Sequence, residues 1–241
     1  MKYFFITGTS EGLGKAIAEK ILKEKNHKVI GLSRKSTIIN PNYSHFFIDL
    51  LKIETLENEL NIIFKSLLSC DEIVLINNAG TVGEIKHIGN TTAENITNII
   101  KVNSISPSII INSFIKKYKK ESYTKVIINI SSGAGINPID GWASYCSSKA
   151  MLDMMTKVVF EEQSEVSNGF KILSISPGII DTQMQKTIRN SNKSEFSNLE
   201  KFKAFKSNNE LSDPKFVAIK ILEIINNINS INEVMFDVRN L

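Results

Sequence analysis

The chain has little cysteine. Cys70 and Cys146 are its only two, they show no metal-ligand spacing, and they fit a reducing compartment. Long apolar runs are also missing, and none approaches the ~18 residues that a membrane span needs. Met1 to Thr7 runs straight into a strand-like segment, without a charged leader or an apolar h-region. Internal repeats, low-complexity tracts and linker-like composition shifts are absent, which favours one domain over 1–241. The net charge is only +4, with no basic cluster interleaved with aromatics, and this argues against a nucleic-acid partner. The expectation is a cytoplasmic protein with no membrane partner and no metal.

What is present is ordinary for a globular chain, with 42% apolar and 22% charged residues. Tyr3–Ile6, Val29–Leu32, Phe46–Ile48, Ile73–Ile76, Val126–Ile130 and Lys171–Ser176 read as strands. Glu11–Lys25, Lys52–Leu68, Thr91–Tyr118 and Ala143–Glu162 read as helices, with Pro107 marking a bend or break in the third. Glu233–Arg239 reads as a last strand. The βαβ alternation predicts an α/β fold, a doubly wound parallel sheet with helices on both faces.

The stretch from Ser131 to Lys149 carries the most chemistry. Tyr145 and Lys149 stand at i,i+4, which puts them on one face of a helix. A phenol with a pKa near ~10 is a poor acid or base at neutral pH. A nearby ammonium stabilises the phenolate, and lowering the pKa by about three units takes ~4 kcal/mol. Ser132, on the loop after the preceding strand, could hold a substrate oxygen against that phenol. The trio suits proton exchange at a carbonyl or carbinol oxygen, and a redox step would need a cofactor. Alone the pair is weak, because among five tyrosines a chance Tyr-x-x-x-Lys arises roughly 0.4 of the time.

Context comes from four loops. Thr7-Gly8-Thr9-Ser10-Glu11-Gly12-Leu13-Gly14 follows the first strand, and its glycines permit a tight turn and close approach to a pyrophosphate at a helix N-terminus. Ser33-Arg34-Lys35 follows the second strand, where dinucleotide folds choose between cofactors. Cations there suit a 2′-phosphate, although a solvated surface pair is the plain alternative. Asn77-Asn78-Ala79-Gly80 reads as a turn closing a strand. Asn103 is a poor mid-helix residue, and on its own reads as ordinary surface.

Taken in order and spacing, Thr7-Gly8-x-x-x-Gly12-x-Gly14, Asn77-Asn78-Ala79-Gly80, Asn103, Ser132, Tyr145-x-x-x-Lys149 and Pro177-Gly178 through Thr182 resemble the short-chain dehydrogenase/reductase family over nearly the whole chain. The resemblance implies a single-domain Rossmann fold binding NADP, with Gly8, Ser10, Gly12, Leu13 and Gly14 along the pyrophosphate. Arg34 would take the 2′-phosphate, Asp49 and Leu50 would meet the adenine, and Asn78 and Gly80 would line the adenosine ribose. It makes Tyr145 the general acid and gives Lys149 the nicotinamide ribose. Ser132 would orient the carbonyl, and Asn103 would hold a water relaying protons to Lys149. Pro177, Ile180 and Thr182 would border the nicotinamide. A small-molecule carbonyl partner and a homo-oligomer, dimer or tetramer, are also implied.

Two departures stand out. Many NADP-dependent members carry a cation just before the second loop glycine, where this chain has Glu11, so cofactor choice rests on Arg34 with help from Lys35. The C-terminal strand also lacks the Asp-Gly-Gly ending of acyl-carrier-protein reductases. The stretches Gly141–Lys149 and Ser176–Gln185 are most similar to the benzil reductase and sepiapterin reductase branch. This implies NADPH-dependent reduction of one carbonyl of an α-diketone. A broader ketone, sugar or steroid dehydrogenase and a non-catalytic NADP sensor are the alternatives. Substrate choice is expected from Ile136–Trp142 and from Gln183–Leu211, with Trp142 as a pocket wall beside Ser132 and Tyr145 and a buried structural Trp as the alternative. Residues 183–211 are expected to form a lid, with Phe196, Phe202 and Phe205 packing within it.

Overall fold

The computed structural model describes residues 1–67 and 70–240, and the Leu68 end of the expected second helix lies outside them. Seven strands build one sheet: β1 (Lys2–Thr7), β2 (His27–Ser33), β3 (Tyr43–Phe47), β4 (Glu72–Asn77), β5 (Thr124–Ile130), β6 (Lys171–Ser176) and β7 (Met235–Asp237). Their order is β3-β2-β1-β4-β5-β6-β7, and every neighbouring pair is parallel. The chain starts in the middle, winds outward to β3, then returns past β1 to wind the other way. The β1–β4 boundary is therefore the point where the winding reverses, and at such a point a ligand crevice opens beyond the strand ends.

Alternate strand residues feed two cores, as the period-2 pleat requires. Phe4, Ile6, Val74, Ile76, Val126 and Ile128 pack against α1 (Gly12–Ile21) and, later in the chain, α8 (Pro214–Asn226). Phe5, Ile73, Leu75, Ile127 and Ile172 pack on the opposite face against α2 (Ile53–Ile63) and α4 (Ser106–Tyr118). Burying each such side chain contributes about 1.5–3 kcal/mol, so both faces are anchored many times over.

The expected helix over 91–118 is three pieces. α3 (Ala93–Ile100) is capped by Thr92, whose Oγ1 accepts the Asn95 N–H at 3.1 Å. A π-helical turn, Lys101–Ile105, follows, and α4 continues from Ser106. The irregularity falls just before Pro107, as a bend or break there predicts: the helix runs on without a free N-terminus, and the π-helical turn widens the path where an interior proline lacks an N–H and its ring would crowd the preceding turn.

Beyond α5 (Ala143–Ser164) and β6, the chain forms α6 (Gln183–Arg189) and α7 (Leu199–Ser207) before α8. These two short helices cover a third apolar cluster at the C-terminal ends of the strands, made of Val82, Ile85, Ile99, Trp142, Tyr145, Ile188, Phe196, Leu199 and Phe202. No helix among the described residues is long and apolar enough to cross a membrane, and they contain no group of His, Cys, Asp or Glu able to hold a metal ion.

Candidate active site

The first loop wraps the N-terminus of α1. Gly8 and Gly12 have φ of +75° and +58°, a region that favours glycine. A methyl on Gly14 would overlap both the Gly8 carbonyl and Asn78 Nδ2, so helix, loop and β4 meet closely there. Asn78 Nδ2 donates to the Thr7 carbonyl at 3.0 Å, while Thr7 Oγ1 accepts the N–H groups of Asn78 and Ala79 at 3.0 Å each. Glu11, at the N-cap of α1, makes no side-chain cap, and the first turn holds no acidic residue. Its N–H groups and positive dipole end are therefore left for an anion. Leu13 is buried in the core, so only its main chain can face that anion.

At the far end, Arg34 and Lys35 are exposed. Hydroxyls brace the turn they belong to. Ser33 Oγ donates to the Lys35 carbonyl at 2.8 Å, and Thr37 Oγ1 reaches the Ser10 carbonyl at 3.1 Å. Thr9 and Tyr43 hydroxyls lie 2.8 Å apart, and His45 Nε2 sits 3.0 Å from the Ser33 carbonyl. Thr37, Tyr43 and His45 had no motif to announce them, because each acts through a strand or loop far from it in sequence. Asp49 Oδ1 accepts the Leu51 N–H at 3.1 Å, and the Leu50 side chain is buried. Opposite, Thr182 Cγ2 lies 3.4 Å from where a Gly12 side chain would begin, so the Pro177–Thr182 loop closes the crevice. Ile180 is itself core-facing and pairs its backbone with Ser212. A loop with room only for glycine, free N–H groups at a helix start and a hydroxyl-lined end fit a dinucleotide.

In the middle, Tyr145, Lys149 and Ser132 converge. Ser132 Oγ accepts the Ala134 N–H at 3.2 Å in a 3-10 turn, Gly133–Gly135, and is hydrogen-bonded to the phenol of Tyr145. Lys149 Nζ donates to the Ile130 carbonyl at 2.8 Å and lies 5.9 Å from the centre of the Tyr145 ring. Both side chains are buried, Tyr145 at 6% and Lys149 at 4% exposure. Burial pushes the phenol up to about 12, with the Ser132 bond working against it. Burial pulls the ammonium down to about 8. The expected lowering of the phenol by Lys149 is not seen: desolvation disfavours the charged form of each group, and it is Ser132, not Lys149, that opposes the rise of the phenol. The phenol is held protonated, as a proton donor requires.

Asn103, 1% exposed, sits inside the π-helical turn. Its Oδ1 accepts the Thr81 N–H at 2.8 Å, and its Nδ2 donates to the Thr81 carbonyl at 2.8 Å and to Ser148 Oγ at 3.0 Å. Both amide hydrogens are committed, so the side chain locks the β4–α3 loop to α5. A side chain on Gly80 would meet Asn103 Oδ1 at 3.3 Å and Lys149 Nζ at 3.7 Å, which puts all three at one spot. This overturns the surface reading of Asn103.

Trp142 bridges Tyr145 and the α6–α7 segment. It meets the Tyr145 ring edge-on at 5.3 Å, stacks on Phe196 at 5.6 Å and 10°, and meets Phe202 at 5.5 Å. Phe196 is fully buried and Phe202 nearly so, as expected of packing residues. Polar contacts fasten the segment from outside. Asp140 accepts the Ser197 N–H and hydroxyl at 2.7 and 2.8 Å, and Glu195 accepts the His87 N–H and Asn90 Nδ2 at 2.7 Å each.

A dinucleotide crevice leading to a buried Tyr–Lys–Ser group defines an oxidoreductase that works with a nicotinamide cofactor. The family model for short chain dehydrogenase matches residues 2–193, and the chain belongs to that family. It is 38% identical over 235 residues to benzil reductase ((S)-benzoin forming) of Bacillus cereus, spanning 93% of this chain and 94% of that protein. The same-named protein of Bacillus subtilis (strain 168) is 37% identical over 228 residues, spanning 93% of each. A solved 4-hydroxyisoleucine dehydrogenase complexed with NADH is similar at TM-score 0.81 and 26% identity, covering 98% of this chain and 96% of that one.

Proposed function

We propose that this protein is a cytoplasmic, NADPH-dependent carbonyl reductase that reduces one carbonyl of an α-diketone. The observation that carries the reading is the convergence of the buried Tyr145 phenol with buried Lys149 and with Ser132 at the end of a dinucleotide crevice. Near-full-length similarity to two proteins named benzil reductase supports the substrate class. When bound, NADPH would supply the hydride that adds to the carbonyl carbon.

Gly8, Ser10, Gly12, Gly14 and the Leu13 main chain would cradle its pyrophosphate, with Asn78 and Gly80 at the adenosine ribose and Asp49 and Leu50 at the adenine. Arg34, exposed and without an ion pair among the described residues, would fork onto the 2′-phosphate. Pro177, Ile180 and Thr182 would border the nicotinamide. Ser132 and Tyr145 donate hydrogen bonds to the substrate oxygen, and Tyr145 gives up its proton as that oxygen becomes a hydroxyl. Lys149 offsets the charge left on the phenol, while the Asn103 turn leads protons back to it. Trp142 forms one wall for the substituents of the diketone.

Residues 183–211 act as a lid, seated by the Trp142–Phe196–Phe202 stack. An exposed apolar stripe on α5, Met151, Met154 and Val158, supports a homo-oligomer. A second reading, an NADH-linked hydroxyl dehydrogenase of broader scope, draws on the NADH-bearing relative. Tyr145→Phe tests the proton role. Turnover should drop by about 10²–10⁴-fold with NADPH binding retained, and near-normal turnover would reject Tyr145 as the acid.

A further inference from the structure

Asp153 lies in α5 one helical turn after Lys149 and is buried. A carboxylate withdrawn from water is costly unless hydrogen bonds and an opposite charge compensate it. One oxygen, Oδ1, accepts the Ser174 hydroxyl of β6 at 2.6 Å. The other faces the turn that carries Ser132. A methyl on Gly135 would overlap Asp153 Oδ2 and stand 3.3 Å from the Lys149 main-chain carbon. Glycine at 135 is what allows the Ser132 turn to settle onto this carboxylate. Three elements therefore meet there: the Lys149 turn of α5, the turn after β5, and β6.

The groups facing Lys149 can be taken element by element. On α5 they are Tyr145 and Asp153. The end of β5 gives the Ile130 carbonyl, and the next turn gives the Ser132 hydroxyl beside Tyr145. The β4–α3 loop and the π-helical turn give Gly80 and the uncharged amide of Asn103. Asp153 is the one carboxylate among them. The two charges act through space, since Lys149 Nζ is committed to Ile130 and Asp153 to Ser174. Burial lowers the ammonium's affinity for its proton, and the Asp153 charge opposes that fall.

We propose that Asp153 is a positioning residue of the active site: its buried carboxylate supplies the counter-charge that keeps Lys149 protonated, and it seats the Ser132 turn against α5. The proposal rests on the reading of Tyr145 and Lys149 as the proton-handling pair.

The test is the pH profile of kcat for diketone reduction in three variants. Asp153→Asn keeps the shape and can still bond Ser174, but removes the charge. Its alkaline limb should move down by about one pH unit, with kcat at pH 8 falling roughly fivefold. Ser174→Ala keeps the charge and should leave the limb where it is. Gly135→Ala crowds the carboxylate without neutralising it and should lower kcat with the limb unmoved. A profile for Asp153→Asn that superimposes on wild type overturns the counter-charge. Equal shifts in Asp153→Asn and Ser174→Ala overturn it as well, because packing alone would then explain both. If the Asn variant does not fold, Gly135→Ala still decides the seating, and wild-type kcat there overturns it. Lys149→Met with normal turnover would instead sink the underlying assignment, however the Asp153 variants behave.

Discussion

Phe196→Ala separates a lid from a fixed piece of core. Phe196 has no exposed surface, stacks on Trp142 at 5.6 Å and tilts against Phe202 at 5.3 Å. Truncating a buried phenylalanine costs about 3–5 kcal/mol, of which each aromatic pair accounts for ~0.5–1.5 kcal/mol. Were α6–α7 an integral part of the core, the whole loss would fall on global stability. At about 2–4 °C per kcal/mol for a chain of this size, Tm would then drop by roughly 6–20 °C. A lid fastened by its own aromatic stack and by the Asp140 and Glu195 contacts places the loss on lid docking instead. There, ~3 kcal/mol is a shift of about 150-fold towards the open form. The account predicts the second outcome. Tm should fall by less than about 5 °C. Trypsin should cut at the exposed Lys201, Lys203 and Lys206 on the order of a hundredfold faster. KM for the diketone should rise at least about tenfold, with KM for NADPH nearly unchanged. A full drop in Tm with unaltered proteolysis and KM would refute the reasoning.

Two further substitutions probe the charges of the site. Lys149 is depressed from 10.5 to about 8 in the folded chain, so between these values the unfolded chain holds the extra proton. The cost of burying the ammonium, on the order of 3 kcal/mol, is therefore complete below pH 8 and fades towards 10.5. Lys149→Met should melt above wild type at pH 6–7 while losing turnover, with the gap closing near pH 10; a gap independent of pH contradicts the burial argument. Arg34→Ala should raise KM for NADPH about tenfold to a hundredfold, the worth of a charge-assisted bond, and leave NADH untouched. Equal effects on both cofactors would remove Arg34 from the 2′-phosphate.

The central features of the site were legible because family motifs fix residue type and spacing together. Ser132, Tyr145 and Lys149 meet as their separations predict, and the first-loop glycines take the conformations that glycine permits. What was not legible depends on contacts between distant segments. The π-helical turn leaves the apolar rhythm of 91–118 almost undisturbed, so the widening around Asn103 could not be read from it. β3 is an edge strand whose Tyr43–Phe47 run is half-exposed, and its start was missed for lack of a buried pattern. Asp153 belongs to no motif, and its partners Ser174 and Gly135 are about 20 residues away in either direction, so nothing local in the sequence announces it. The phenol's rise to about 12 follows from burial in the cluster that Trp142 joins to the α6–α7 segment, which i,i+4 spacing alone does not convey.

The most direct measurement is the rate of NADPH oxidation with benzil and 1-phenyl-1,2-propanedione, set beside a steroid ketone, a β-ketoacyl thioester and a simple aldehyde, and repeated with NADH. The account predicts fast turnover of the two diketones with NADPH and little with the other substrates or with NADH. Preferential use of NADH, or a steroid ketone or aldehyde reduced faster than either diketone, would contradict it.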